Sequence, residues 1–491
     1  MVSAPIAVAR TWVQEGQPTP RVVLWLWGAL ALACGLLLAW LPLPLAALVV
    51  AGVALVVGTL IEPLIGIGAA LLLGPLRAWL EIRAPGALPH VGQAVLLFGV
   101  GVWLARGLLL RNVRLTVPRT MLLLLAFLGV SLISLWRAVD AWDGALEFVK
   151  WLQVAIVAAV VYERLTVSRG TWRVMVAVAG IAGAAMAQAL IGLWQFGFGG
   201  TAVEEFAIDD RFFRAYGTFQ QPNPYAGLLG LAGAVLLGLG AEKVAQALRS
   251  REPGGAVPAL AALGPGALVL AGLVASWSRG GWMGFAAAVL VMVALWPQRS
   301  LWGVVLVALV LVVGGGLAVM GHLPESVLDR LTGFLVYVRF EDVRGVGITD
   351  ANFSVIERMA HWQAALGMWR EQFWLGVGLG GYEAAYPAHA LIDWPLPLGH
   401  AHNFYLNLLA EVGLIGLAVY LAWLGSMAVG LLGALRRHTG WVRGLALGLA
   451  GAWTHLAVHS LVDNLLVNNV HLFVGVLVAL TAWIVGQGER T

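Results

Sequence analysis

Charge is what this chain has least of: only 11% of its 491 residues are Asp, Glu, Lys or Arg, against about 25% in soluble domains. With 60% hydrophobic residues and a mean hydropathy of +0.88, one large water-soluble globule is excluded, because too little polar surface exists to cover it. Cysteine is almost missing. Cys34 stands alone inside an apolar run, so neither a disulfide framework nor a Cys-based metal cluster can form within one chain. Polar low-complexity tracts are lacking too. The 62 Gly and 20 Pro lie inside apolar runs, a pattern that suits transmembrane helices and excludes disorder. The net charge of +4 is small, and no nucleic-acid partner is expected.

What is abundant is apolar sequence in long runs. A spanning helix needs roughly 20 apolar residues. Fourteen candidates are legible: 22–41, 43–60, 63–80, 91–110, 119–136, 146–163, 173–195, 223–241, 257–276, 280–297, 301–320, 403–434, 441–459 and 467–487. Only Ile61, Glu62 and Pro63 separate 43–60 from 63–80, so twelve is the alternative count. The expectation is an all-α polytopic membrane protein of about 12–14 transmembrane helices.

Lys and Arg concentrate in cytoplasmic loops. With the N-terminus inside, Arg10 and Arg21 precede the first span. The even-numbered loops then carry Arg111, Arg114 and Arg119; Arg164, Arg169 and Arg173; Lys243, Arg249 and Arg251; Arg299; and Arg436, Arg437 and Arg443. All fall on one side, and the C-terminus joins them. No cleavable signal peptide is expected. The layout is a cytoplasmic segment 1–21, a bundle over 22–320 with an outer loop 196–222, a long extracytoplasmic loop 321–402, and C-terminal helices over 403–487. Within the long loop, Ser326 to Phe340 and Ser354 to Phe373 read as two helices lying on the membrane or capping a cavity.

Polar residues collect where helices begin on the outer face. Arg279 follows Ser278 at one helix start, outside, where basic residues are sparse. Asn223-Pro224 opens another and reads as an N-cap with Pro at the first helical position. Just upstream, Arg214 and Arg211 are either ligand contacts or partners of Glu204, Glu205, Asp209 or Asp210. A third start carries His400, His402 and Asn403, with Glu411 two turns further in. An acidic residue inside a span is costly and marks function by default, so Glu411 is expected in the headgroup zone or beside a buried histidine or arginine. His455, His459 and Asp463 fall at i, i+4 and i+8. A metal site there is conceivable, but packing explains the stripe equally well. Gly376 to Gly381 formally matches G-x-G-x-x-G. With no βαβ unit around it, a tight turn with close backbone approach is the better reading.

Three of these helices run outside to inside. Their N-termini expose unpaired N–H groups and partial positive charge, which favour anions. Arginines beside them would make a phosphate or pyrophosphate site, and a nearby imidazole could take a proton from an incoming hydroxyl. The chemistry that fits is transfer of a group from a lipid pyrophosphate to an alcohol. A transporter is the runner-up, although its polar residues would sit nearer the midplane between related halves. A membrane scaffold would leave Arg279, Arg358, His402 and Glu411 without a purpose.

These residues resemble the O-antigen ligase and O-antigen polymerase superfamily of Wzy-C type. The matching pieces are Ser278-Arg279-Gly280, Arg358 to Trp362 leading through Gly376–Gly380 to Tyr382, and His402 to Leu406 running to Gly416. The resemblance covers about 217–465. It implies a GT-C-like glycosyltransferase of the cytoplasmic membrane that works on the outer face. Such an enzyme takes a glycan from an undecaprenyl-pyrophosphate carrier and joins it to a lipid, glycan or protein hydroxyl. It further implies that Arg279, Arg358 and Arg214 hold the pyrophosphate and His402 activates or orients the acceptor, with Asn403, Asn223, His400 and Glu411 in support. Neither a nucleotide sugar nor a metal is implied.

Overall fold

The structure is a computed structural model, and it describes residue 35 and residues 40–83, 90–113, 116–167, 170–198, 206–209, 212–250, 256–297, 299–322, 324–338 and 342–487. The predicted span 22–41 lies almost wholly outside the described residues. So do Cys34, Arg10, Arg21, Arg114, Arg169, Glu204, Glu205, Asp210, Arg211 and Arg251.

Two compact units divide the chain at residue 61. In the first, α1 (Leu43–Ile61) is apolar and exposed along nearly its whole length, the surface a helix needs in lipid rather than water.

The second unit is an all-helical bundle. Its helices are α2 (Pro63–Leu73), α3 (Leu76–Arg83), α4 (Val91–Leu109), α5 (Arg119–Ser134), α6 (Ala141–Thr166), α7 (Trp172–Phe198), α8 (Pro222–Ser250), α9 (Ala256–Ala261), α10 (Gly264–Ala275), α11 (Arg279–Leu295), α12 (Ser300–Val319), α13 (Glu325–Thr332), α14 (Phe353–Glu371), α15 (Tyr382–Ala385), α16 (Phe404–Arg437), α17 (Gly440–His459) and α18 (Val470–Gln487). A two-stranded hairpin, Ala207–Asp209 with Phe212–Phe213, interrupts the helices before α8.

Across both units, nine helices among the described residues are long and apolar enough to cross a membrane, or ten counting the bent pair α2 and α3. The chain is a multi-pass membrane protein. Of the fourteen predicted spans, 22–41 lies almost wholly outside the described residues, and others are bent or short. The run 63–80 bends by 55° between α2 and α3, where Pro75 follows Gly74 and removes a helix N–H. The run 257–276 breaks into α9 and α10, and α10 and α11 are shorter apolar helices.

The interior is built on close backbone approach. α8 packs along α17, and a Cβ on Gly238 would lie 2.4 Å from Gly448 N. With no hydrophobic effect between helices in lipid, small residues of this kind let backbones make van der Waals contact. α18, almost entirely buried, sits against α6.

At the C-terminal ends of α6 and α8, buried acids meet arginines. Glu62 accepts from Arg164 at 2.8 and 2.9 Å and from Arg173 at 2.7 Å. Glu242 accepts from Arg249 at 2.6 Å. Charges this deep persist because they are paired.

Between α12 and α16 the chain forms its own small layer. α13 stops at Gly333, where a 3-10 turn (Gly333–Tyr337) takes over, so the first loop helix is shorter than the predicted Ser326–Phe340. α14 matches the second prediction closely. Val343, Ile356, Met359 and Trp394 form one apolar core of this layer, and Met368, Tyr382 and Tyr386 belong to another.

A clasp joins this layer to α16. Gly413 has φ of 66°, breaking α16 in its N-terminal third. The break frees the carbonyls of Ala410 and Glu411, which accept from Val377 and Gly378 N–H at 2.9 Å. It also frees the Leu414 N–H, which donates to Phe373 O at 3.0 Å. Gly378, with φ of 100°, passes so close to Ala138 that a Cβ would sit 2.3 Å from its Cα. The glycine motif is therefore a backbone clasp, as the tight-turn reading expected.

Candidate active site: an arginine-lined cavity

The N-termini of α8, α11 and α16 meet the C-terminal end of α17. Ser278 caps α11 by accepting from Gly281 N–H at 3.2 Å, and its hydroxyl donates to Asn223 Oδ1 at 2.9 Å. Asn403 caps α16, accepting from Tyr405 at 3.0 Å and Leu406 at 3.1 Å. Phe404 N–H donates to Ser460 O at 2.9 Å, tying α16 to the end of α17.

Beside this junction lies a cavity of about 260 Å³. Arg214, Arg279, Arg330 and Arg358 line it, together with Asn223, His459 and Asp463. Met283, Phe334, Val338, Met359 and Trp362 form an apolar wall. The three arginines singled out in the sequence come together here, from a loop, a helix start and the long outer segment.

Each guanidinium is held by neutral oxygens rather than by an acid. Arg214 donates to Ser276 O at 3.2 Å and to Asn223 Oδ1 at 3.4 Å. Arg279 donates to Ser354 Oγ at 3.1 Å and lies over the Phe334 ring. Arg358 donates to Ser354 O at 3.2 Å, and its Nε is buried without a partner. Arg330 donates twice to Trp277 O, at 3.1 and 2.9 Å. Burial, then the charges of Arg330, Arg279 and Arg358, lower the Arg214 guanidinium to about 9. Burial, with Arg279 and Arg358, lowers Arg330 to about 10. Like charges crowded in a partly dry cavity destabilise one another, and a bound anion relieves that cost.

Two glutamines inside α7 shape the loop that carries Arg214 and leads into Asn223 at the start of α8. Gln195 Oε1 accepts from Gly217 N–H at 2.8 Å, and its Nε2 donates to Gly217 O at 2.8 Å. Gln188 makes the matching pair with Thr218, both at 2.9 Å.

Asn223 departs from the reading as an N-cap. α8 begins one residue earlier, at Pro222, and the Asn223 amide instead bridges three elements. It accepts from Ser278 and Arg214 and donates to Asp463 Oδ2 at 2.6 Å. Asp463 is not on a helical stripe with His455 and His459, because α17 ends at His459. It sits in the following turn and is buried. Burial alone would raise its carboxyl, but the facing His402 and His400 imidazoles and Arg358 hold it well below the usual carboxylate range.

His402 lies behind Asp463 and does not itself line the cavity. Its Nδ1 is 3.9 Å from Asp463 Oδ1, outside hydrogen-bond reach. Both its ring nitrogens are buried without a hydrogen-bond partner. Its backbone is left-handed, with φ of 50°, a strained conformation for a non-glycine residue. His400 stacks edge-on beside it, ring centroids 4.4 Å apart. His361 faces it from α14 at 5.5 Å. Burial pushes both His400 and His361 down to about 4.

The ligand atoms of His400, His402 and Asp463 all lie within 4.8 Å of one another, a spacing that could hold an ion. The local hydrogen bonding disfavours one. His400 Nδ1 accepts the His402 N–H at 3.1 Å, so the neutral ring carries its proton on Nε2. That nitrogen faces Asp463 Oδ1 at 3.8 Å, and a metal there would have to displace the proton.

Glu411 stands apart from this cavity. Among the described residues it has no hydrogen bond to a histidine or arginine. It is buried and accepts from Tyr382 N–H at 3.3 Å, so it braces the glycine clasp. Asp463 and Arg330 are the lining residues whose place the sequence left undecided or unseen. Arg330 carried a weak signal: it is one of few basic residues between 321 and 402.

Residues 265–421 match the family model Wzy_C, described as O-antigen ligase. The resemblance read from the motifs therefore holds over that domain. It contains Arg279, Arg330, Arg358, His402 and Glu411, while Arg214, Asn223 and Asp463 lie outside it. No curated protein matches the chain.

Proposed function

We propose that this chain, with an O-antigen ligase domain over 265–421, moves a glycan from an undecaprenyl-pyrophosphate carrier to an acceptor hydroxyl at the outer face of the cytoplasmic membrane. The observation that carries this reading is the cavity, where four guanidiniums meet a single carboxylate at converging helix N-termini. Such a site suits a doubly phosphorylated group. The apolar wall beside the arginines suits the first isoprene units of the carrier. The distribution of Arg and Lys among the loops supports the outer-face orientation.

In the reaction, Arg214, Arg279 and Arg358 hold the pyrophosphate, and the acceptor oxygen attacks the anomeric carbon. The hydroxyl proton passes to the Asp463–His402 pair, whose carboxylate lines the cavity and whose imidazole stands behind it. Asn223 keeps Asp463 in register with Arg214 and Ser278. A polymerase of the same superfamily would share this donor site and differ in its acceptor.

The test is reconstitution in vesicles with the carrier-linked glycan and an amphipathic acceptor. Wild type is expected to release the carrier pyrophosphate and glycosylate the acceptor. Arg279→Ala loses donor binding, whereas His402→Ala binds donor and fails at transfer. Wild-type turnover in both variants would refute the assignment. Movement of intact donor between leaflets without cleavage would favour a transporter.

A further inference from the structure

A second cavity, of about 310 Å³, opens at the other end of the same helices. α8 and α17 each run from one cavity to the other. Asn223 and His459 line the arginine cavity, and Glu242 and Gly440 line the second. α17 is 20 residues long, about 30 Å at the rise of an α-helix, which matches the hydrocarbon thickness of a bilayer. The second cavity therefore belongs to the opposite membrane surface, where the glycan-transfer reading places no chemistry.

Arg443 is its central group. It is only 8% exposed and lines the cavity beside Arg249 and Trp296. Its terminal nitrogens donate to Glu242 Oε2 at 3.5 Å, to Leu295 O at 3.3 Å and to Trp296 O. Its Nε is buried with no hydrogen-bond partner among the described residues, a costly state for a charged group's N–H. Glu242 cannot neutralise the site, because it also accepts from Arg249 at 2.6 Å. Two lining cations thus share one carboxylate.

The start of α17 faces the same space. Thr439 and Gly440 line it, and no side chain caps the first-turn N–H groups, which carry the partial positive charge of a helix N-terminus. A Cβ on Gly440 would meet nothing within 4 Å, so the approach is open. Lys243, Arg436 and Arg437 stand exposed on the adjoining ends of α8 and α16. Leu248, next to Arg249, is 75% exposed, an apolar surface that suits lipid better than a dissolved ion.

We propose that this cavity binds the phosphate of an anionic phospholipid headgroup at the membrane surface opposite the arginine cavity. The phosphate oxygens accept from the first-turn N–H groups of α17 and offset the charge of Arg443 and Arg249. The acyl chains lie against the lipid-facing side of α8. The inference stands independently of the glycan-transfer reading.

The experiment follows thermal unfolding of the full-length protein in detergent micelles titrated with phosphatidylglycerol, phosphatidylcholine or inorganic phosphate. Wild type is expected to show a saturable rise in melting temperature with phosphatidylglycerol and little with the other two. Thr439→Asp sets a carboxylate at the helix start, where it favours the helix but repels a phosphate. It should stay folded and need on the order of tenfold more lipid for half the effect. Arg443→Gln should weaken the lipid likewise, and Thr439→Asp carries the test if that variant does not fold. Arg279→Ala should keep the wild-type response. A response unchanged in Thr439→Asp would mean non-specific lipid and overturn the proposal. So would an equal rise with inorganic phosphate, which would make the site one for a soluble anion, or a response lost in Arg279→Ala, which would move the lipid to the arginine cavity.

Discussion

Replacing Asn223 tests whether the arginine cavity and the histidine pair work as one unit. Its amide donates to the buried Asp463 Oδ2 at 2.6 Å and accepts from Ser278 Oγ at 2.9 Å. The contact from Arg214, at 3.4 Å, is long enough to add little. A hydrogen bond to an ionised group contributes about 1.5–3 kcal/mol, and a neutral one about 1 kcal/mol. Asn223→Ala is therefore expected to cost about 2.5–4 kcal/mol in all, much of it from leaving a buried carboxylate oxygen without its partner. The loss should divide between stability, read as a lower apparent melting temperature in detergent, and donor affinity, read as a dissociation constant roughly tenfold weaker or more. Asn223→Asp should be worse than Asn223→Ala, because it sets a second carboxyl against Asp463. Unchanged melting and unchanged donor affinity in Asn223→Ala would refute the bridging role. An aspartate variant better than the alanine one would refute the electrostatic argument.

Three other outcomes follow from the same geometry. Gly378→Ala drives a Cβ to 2.3 Å from the Ala138 backbone at φ of 100°, so it should destabilise by on the order of 2–4 kcal/mol; a thermal melt matching wild type would contradict the clasp. His400 and His361 hold their folded values near 4, below the ordinary histidine value of about 6.5. The unfolded chain then binds more protons between those values, so stability should fall as pH drops from about 6.5 to 4. Urea or thermal unfolding that is flat across that window would contradict this. Because His400 keeps its proton on the nitrogen facing Asp463, glycan transfer should be unchanged in EDTA, and a loss restored by zinc would reverse that assignment.

Much of this protein was legible in the order of its residues. Long apolar runs must become helices in lipid, because no other open structure satisfies the backbone there. The polar motifs at Arg279 and His402 stood out because charge and imidazole are costly near a membrane. The glycines at 376–381 announced a backbone approach, though not toward what.

Tertiary structure alone decided the rest, and the reason is distance along the chain. Asn223 looked like a cap until α8 began at Pro222 and Asp463, 240 residues away, arrived opposite its amide. Glu411 looked functional because an isolated acid in a helix is expensive, yet the break at Gly413 had brought Tyr382 N–H to satisfy it. Arg330 drew no reading from its own segment, and folding placed it among three other arginines. Composition and periodicity report what a residue costs in its own segment. Which distant partner offsets that cost is settled only when the segments pack.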